Sequence, residues 1–142
     1  MLNDSPDVSA LRVFLGDAQS LLNRAQECLQ HFQLIGEDAD ASDCLIHTLA
    51  SLSDKARGLG LTQIADFCSQ LCALLAPVER RNHLHGAALA IIEACLSLLA
   101  WQVELIDPYD GTLNLDAEEQ RELLQGLDNA LLTVTQRCGQ AV

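Results

Sequence analysis

The chain has 142 residues and a formal net charge of −12, and 49% of its residues are hydrophobic while 20% are charged. A chain of this size and hydrophobicity can bury a core as one domain over residues 1–142. Intrinsic disorder is disfavoured, because apolar residues are abundant along the whole chain. Its eight basic residues, of which Lys55 is the one lysine, supply too little positive charge for a nucleic-acid backbone or an anionic membrane surface. We therefore expect no nucleic-acid partner and no membrane partner.

The N-terminal segment MLNDSPDVSA is acidic and polar, whereas a secretory signal needs positive charge followed by an apolar run. The longest apolar stretch, 87–103, is interrupted by Glu93 and Gln102 and is shorter than the roughly 20 residues of a membrane-spanning helix. These features predict a cytoplasmic protein.

Helical periodicity runs through the chain without the alternation that is typical of a strand. The first helix is predicted to begin at Ser5, with Pro6 in the first helical position. Its apolar residues recur every three or four positions and define one wide face, which is followed by an acidic loop at 36–40. The apolar residues are Leu11, Phe14, Leu15, Ala18, Leu21, Leu22, Ala25, Cys28, Leu29 and Phe32.

The second helix is predicted to begin near Ser42 or Asp43, whose side chains can accept from free backbone N–H groups, and to end at 58–60. Thr62 is the predicted N-cap of the third helix, which ends before Pro77. Each helix carries one apolar stripe. The stripes are Leu45, Leu49, Leu52, Ala56 and Leu59 in the second helix, and Leu61, Ile64, Ala65, Cys68, Leu71, Cys72 and Leu75 in the third.

The fourth helix is predicted to begin at Asn82 and to end before the turn signal at 107–111. The segment from Asp116 to Glu119 resembles a capping box and opens the fifth helix. Five amphipathic helices with short connections predict an all-α fold, an antiparallel up-down helical bundle. The inward residues are Leu84, Ala88, Ile91, Ile92, Cys95, Leu98, Leu99, Leu105 and Ile106 in the fourth helix, and Leu123, Leu124, Leu127, Leu131 and Val134 in the fifth.

The most informative segment is 50–71, A-S-L-S-D-K-A-R-G-L-G-L-T-Q-I-A-D-F-C-S-Q-L. It resembles histidine-containing phosphotransfer (HPt) domains, which carry H-T-L-K-G-S-A-x-x-L-G-L followed by a helix of the form xxLAxLCxxLE. The F-L-x-x-A-x-x-L-L pattern at 14–22 and the fifth helix look most like the phosphotransfer module of chemotaxis histidine kinases. This resemblance implies a four-helix HPt-like core. The matching positions are Leu52, Ala56, Leu59, Gly60, Leu61, Ile64, Ala65, Cys68 and Leu71.

The chain departs from this family at the active position. The resemblance puts Ala50 at the place of the phosphorylated histidine, Ser53 at that of a basic residue and Asp54 at that of a glycine. Phosphoryl transfer needs an exposed imidazole nitrogen and nearby positive charge. Because Ala50 has no nucleophile and Asp54 adds negative charge, the site is inactive by residue type, and we expect the chain not to be an enzyme.

His47 opens an I-H-T-L string that imitates the H-T-L of the family one turn before Ala50. It lies thirteen residues before Gly60, whereas the family spacing is ten, and no Lys or Gly follows it at the required offsets. Two interpretations stay open, a displaced phosphoacceptor and an ordinary helix histidine, and the spacing favours the second.

In HPt-like domains the second and third helices together present the surface that a receiver domain grips. Phe67 lies at the edge of the apolar face of the third helix and is the candidate anchor there, although packing at the flank of the core is the favoured role. The docking residues that the resemblance implies are Ala50, Ser53, Asp54, Arg57, Gln63, Phe67 and Gln70.

Six cysteines are scattered along the chain, and most lie among apolar residues at helical spacing. Unpaired cysteine is among the most buried residue types, so this pattern predicts reduced thiols in the core. Cys68 and Cys72 share a helix face and could join Cys95 or a histidine as metal ligands. Their apolar neighbours favour the core position, and we expect no metal and no cofactor.

Three functional hypotheses follow. The leading one is a phosphorylation-incompetent HPt-like protein of a two-component or chemotaxis-type system, which binds the receiver domain of a response regulator or a histidine kinase. The second is an active phosphotransfer protein that uses His47, and the third is a helical interaction domain outside phosphorelays. Other enzyme classes have no support, because the paired acids belong to a turn and a helix start and no nucleotide-binding or hydrolase motif is present.

Overall fold

The computed structural model describes residues 8–35, 39–77 and 86–140, and within them it contains five α-helices and no strand. This confirms the predicted all-α helical bundle. The helices are α1 (Val8–Ile35), α2 (Ala39–Gly58), α3 (Thr62–Leu75), α4 (Ala87–Leu105) and α5 (Glu118–Gln140).

Contacts between α2 and α3 run in opposite directions along the two helices. Ser53, late in α2, bonds to Ala65, early in α3, while Ile46, earlier in α2, accepts a bond from Cys72, later in α3. The two helices are therefore antiparallel. In the rest of the bundle α1 packs against α2 and α4, and α5 packs against α4 and α3.

The junction of α2 and α3 is a Schellman turn, in which Gly60 has a φ of +76°. The Leu61 N–H donates to the Ala56 carbonyl oxygen at 2.9 Å, and the Gly60 N–H donates to that of Arg57 at 3.1 Å. This confirms the predicted end of the second helix. The predicted N-cap was wrong, because Leu61 occupies the N-cap position without a side-chain hydrogen bond and Thr62 is already helical.

The beginning of α2 also differs from the prediction. The helix begins at Ala39, so Ser42 and Asp43 lie inside its first turns and not at its N-cap. Ser42 is 1% exposed, because its side chain faces the core instead of the free N–H groups. The predicted helix starts at Ser5 and Asn82, and Leu84 of the predicted fourth stripe, lie outside the described residues.

The predicted apolar stripes form the core of the bundle wherever their side chains are described. Val134 of the predicted fifth stripe lies outside the side chains that the structure describes. One position in α4 was wrong: Leu105 is 45% exposed. The reason is that the helix ends there, and the extended backbone of Ile106 turns the next side chain into the core instead. The predicted turn at 107–111 is confirmed, since the Asp107 carboxylate accepts from the Tyr109 N–H at 2.8 Å.

Among the described residues α4 is the one helix that is long and apolar enough, by length and composition, to cross a membrane. Half of the most apolar stretch of this helix is buried against the neighbouring helices. Core helices of soluble proteins can have the same length and apolar composition. In this bundle α4 packs against α1 and α5.

Candidate functional site

The outward side of α2 carries His47, Ala50 and Asp54, three and then four positions apart, which places them on one side of the helix. We call these three residues the α2 face. All three are exposed, whereas Leu49 and Leu52 between them are buried. The α2 face is therefore accessible to a partner.

Ala50 lies in the middle of the α2 face and offers a methyl group only. The Asp54 carboxylate follows one helical turn later and is also exposed. A phosphoryl group brought to this position would meet no nucleophile at Ala50 and would be repelled by Asp54.

The two basic residues of α2 are paired with acids on the neighbouring helices. Lys55 Nζ lies 3.6 Å from Asp17 Oδ2 of α1, and Arg57 Nη2 lies 3.5 Å from Asp66 Oδ1 of α3. Exposed pairs of this kind add little stability, but they compensate the positive charge locally. Asp66 was missed by the sequence reasoning, although its place just after the Gly60 turn brings it back towards Arg57.

Ser53 does not belong to the docking surface, which corrects the expectation. It is 6% exposed, and its hydroxyl donates a hydrogen bond to the Ala65 carbonyl oxygen at 2.9 Å. The position that the resemblance gives to a basic residue therefore faces α3 and the core. Here a serine serves as a link between two helices.

Phe67 does not belong to that surface either. Its side chain is fully buried, so it cannot anchor a partner, and the alternative of packing with the core is the correct one. The reason is that α3 is covered by α4 and α5 as well as by α2, which widens its buried arc.

Gln63 and Gln70 lie three positions before and four positions after Asp66, the partner of Arg57, and therefore on the same side of α3. Gln63 is half-buried beside Gly111 and Leu113, in a cleft of about 160 Å³, and its buried Nε2 has no hydrogen-bond partner among the described residues. Gln70 is exposed in a cleft of about 360 Å³ between α3 and α5. The structure thus brings Ala50, Asp54 and Arg57 to one side of α2, and the two glutamines flank Asp66, the partner of Arg57, on α3.

A cleft of about 410 Å³ between α1 and α2 borders the α2 face. Val13, which is 63% exposed, lies in its lining with the apolar Phe14 and Leu59, and Asp54 lies there too. The sequence reasoning missed Val13, because it falls outside the apolar stripe of α1. This cleft gives the α2 face an apolar flank that Phe67 does not supply.

His47 is exposed one turn before Ala50, so its imidazole is accessible. The exposed acid Asp43 precedes it by one turn. Lys55 and Arg57 lie about 12 and 15 Å further along the helix axis, and both are paired with acids. The two cations of α2 are therefore distant from the accessible imidazole and already paired, whereas phosphoryl transfer favours a nearby cation.

Cys28, Cys68 and Cys95 are buried in the core as predicted, and the five cysteines whose side chains are described are free thiols. Burial raises the pKa of Cys95 to about 12. Burial also raises the pKa of Cys72 to about 11, with a smaller contribution from the charge of Asp54. Within 8–35, 39–77 and 86–140 no three His, Cys, Asp or Glu side chains are placed to hold a metal ion.

Comparison of the chain with protein-family models, with curated proteins and with solved structures finds no match. The structure defines the class of protein as an all-α helical bundle. The resemblance to HPt domains stays a prediction from the residue pattern of 50–71.

Proposed function

We propose that this protein is an HPt-like signalling protein that binds a receiver domain or a histidine kinase without carrying phosphate. The observation that carries the proposal is the exposed Ala50, with Asp54 one turn later, on a bundle helix whose sequence resembles the phosphohistidine helix. When it is bound to such a partner, the protein acts as a scaffold or as a competitor in a two-component or chemotaxis-type pathway. The proposal places it in the cytoplasm.

The binding surface consists of the α2 face, the Arg57–Asp66 pair and the apolar cleft at Val13. The small side chain of Ala50 lets a partner approach the helix closely. The Asp54 carboxylate disfavours a phosphorylated partner, because like charges repel. The protein is therefore proposed to prefer the unphosphorylated form of its partner.

The first experiment tests phosphate transfer. The full chain is incubated with acetyl phosphate, and separately with the phosphorylated receiver domains and histidine kinases of the organism that encodes it. We expect no phosphoryl label on the protein. Stable label at His47 would overturn the proposal.

The second experiment tests binding by titration calorimetry with the same panel. We expect one receiver or kinase to bind, and Arg57→Glu to weaken that binding about tenfold or more, because it reverses a charge within the surface. The matched control is Arg12→Glu, at an exposed position of α1 outside the surface. Equal effects of the two substitutions, or no binding partner in the panel, would contradict the proposal.

A second candidate function rests on the exposure of His47. In this alternative the imidazole accepts the phosphoryl group and passes it on. His47→Gln separates the two candidates, because it abolishes the phosphoryl label in the second, whereas the first expects no label with or without the substitution. Capture of partners that are neither receivers nor kinases would favour the third candidate, an interaction domain outside phosphorelays.

A further inference from the structure

Two cysteines face each other where α1 packs against α2. The ion pair between Asp17 and Lys55 fixes how these helices are aligned, because it joins the first half of α1 to the last turn of α2. Cys28 follows Asp17 by eleven positions, and Cys44 precedes Lys55 by the same number. Eleven residues are about three helical turns, so antiparallel helices aligned by the ion pair bring Cys28 opposite Cys44.

The side chains of these two cysteines are in contact. The thiols of Cys28 and Cys44 are hydrogen-bonded to each other, and both residues line one cleft of about 350 Å³ between α1 and α2. Both are free thiols in this structure. Two thiols in contact need only a small local movement to form a disulfide, whereas cysteines that point apart need the backbone to move.

The two sulfur atoms differ in their access to solvent. Cys28 is 6% exposed, and burial, together with its hydrogen bond to Cys44, raises the pKa of its thiol to about 12. Hardly any thiolate is therefore present at Cys28 near neutral pH. Cys44 is half-buried at the cleft, which opens to solvent, so a small oxidant reaches the Cys44 sulfur first. Cys28 is then the second thiol, which attacks from within the core.

We propose that Cys28 and Cys44 are a redox-sensitive pair, which hydrogen peroxide converts into a disulfide between α1 and α2. The Cys44 thiolate attacks one oxygen of the peroxide, the O–O bond breaks, and the products are a sulfenic acid and a hydroxide that takes up the proton released by Cys44. The Cys28 sulfur then attacks the Cys44 sulfur. The S–S bond replaces the S–O bond, and the Cys28 proton leaves with the displaced hydroxyl as water. Two electrons pass from the sulfur atoms to the peroxide, and a dithiol reductant reverses the oxidation.

The disulfide links the C-terminal half of α1 to the first half of α2 and encloses the fifteen residues 29–43 in a covalent loop. Such a cross-link stabilises the folded state mainly because it restricts the unfolded chain. Oxidation therefore makes the bundle more stable, and reduction removes the added stability. Reversible disulfides in reducing compartments typically serve redox sensing. The inference uses only the packing of α1 on α2 and does not depend on the proposed function.

The test treats the reduced full chain with hydrogen peroxide and then alkylates the remaining thiols. Digestion with trypsin and a glutamyl endopeptidase puts Cys28 on the peptide 28–37 and Cys44 on the peptide 38–55, so that mass spectrometry without reduction identifies the link. We expect these two peptides to be cross-linked and the number of free thiols to fall from six to four. The melting temperature should rise by roughly 5–10 °C, and dithiothreitol should reverse each change.

A matched pair of variants locates the effect. Cys44→Ser removes one half-buried partner and should abolish both the cross-link and the rise in melting temperature. Cys72→Ser removes another half-buried thiol, which donates to the Ile46 carbonyl oxygen, and should leave both unchanged. Retention of all six thiols, loss of thiols without this cross-link, or a rise in melting temperature that persists in Cys44→Ser would overturn the proposal.

Discussion

The hydroxyl of Ser53 donates a 2.9 Å hydrogen bond to the backbone carbonyl oxygen of Ala65, and so ties α2 to α3 one turn after the exposed Ala50. The resemblance to HPt domains assigns a basic residue to this position. Because Ser53 is 6% exposed, a basic side chain here would have to leave its charge in the core or push the helices apart. The structure therefore lacks room for the family's cation as well as lacking its histidine.

The first prediction concerns this bond. Ser53→Ala should lower the free energy of unfolding by about 1 kcal/mol, the usual net value of one hydrogen bond. Ser53→Lys should cost more, since it buries an unpaired ammonium group. Chemical denaturation of both variants measures the loss, and Ser51→Ala, at an exposed position of the same helix, is the control with little expected change. A stable Ser53→Lys variant would mean that this position opens to solvent.

The second prediction separates the core role of Phe67 from a docking role. Phe67→Ala should lower the free energy of unfolding by about 3–5 kcal/mol, because it leaves a cavity in the bundle. Trp101→Ala, at a half-exposed aromatic position, should cost far less. Thermal and urea unfolding give both values. If Phe67→Ala kept its stability and lost only partner binding, the assignment of Phe67 to the core would be wrong.

Local chemistry is sufficient for the parts of the fold that the sequence predicts well. Gly60 ends α2 because glycine adopts the positive φ of the turn easily, and the stripe around Leu49 and Leu52 leaves Ala50 facing outwards. Contacts between distant segments cannot be predicted from such local patterns. Gln102 and Gln120 are polar residues that are buried because they hydrogen-bond to each other across α4 and α5, at 3.2 Å.

In the candidate site, too, local patterns predict some features, and contacts between distant segments decide the others. The exposure of Ala50, Asp54 and Arg57 follows from helical periodicity alone. The burial of Phe67 does not, because it depends on how α3 is covered by α4 and α5. The pairing of Arg57 with Asp66 likewise requires the antiparallel packing of two helices to be known.

The third prediction is a loss of stability at alkaline pH. Burial raises the pKa of Cys95 from an ordinary value near 9 to about 12, so the native state keeps this proton where the unfolded chain releases it. Below pH 9 the thiol is protonated in both states, and its contribution to the stability of the native state is fully present. Between pH 9 and 12 the free energy of unfolding should fall by about 1.4 kcal/mol per pH unit for each such thiol. Cys95→Ala should therefore show a shallower decline than the natural protein in urea titrations from pH 8 to 10.5. Parallel declines would show that Cys95 does not titrate differently in the two states.

The fourth prediction is that phosphoryl acceptance can be restored in part. Ala50→His places an imidazole on the exposed α2 face, and it should give acid-labile label from acetyl phosphate or a phosphorylated receiver. Adding Asp54→Gly should raise the rate about tenfold, since it removes a negative charge about 6 Å from a doubly charged phosphoryl group. Both changes are made in a His47→Gln background, so that the label reports position 50.

The Asp54→Gly substitution in the same background, without Ala50→His, is the control and should stay unlabelled. Transfer to the variant with both changes should remain slow. Ser53 is buried at the position where the resemblance expects a cation, and the two basic residues of α2, Lys55 and Arg57, lie five and seven positions after Ala50 and are paired with Asp17 and Asp66. Absence of label on every variant, with circular dichroism showing intact helices, would contradict the prediction that an imidazole at position 50 can accept a phosphoryl group.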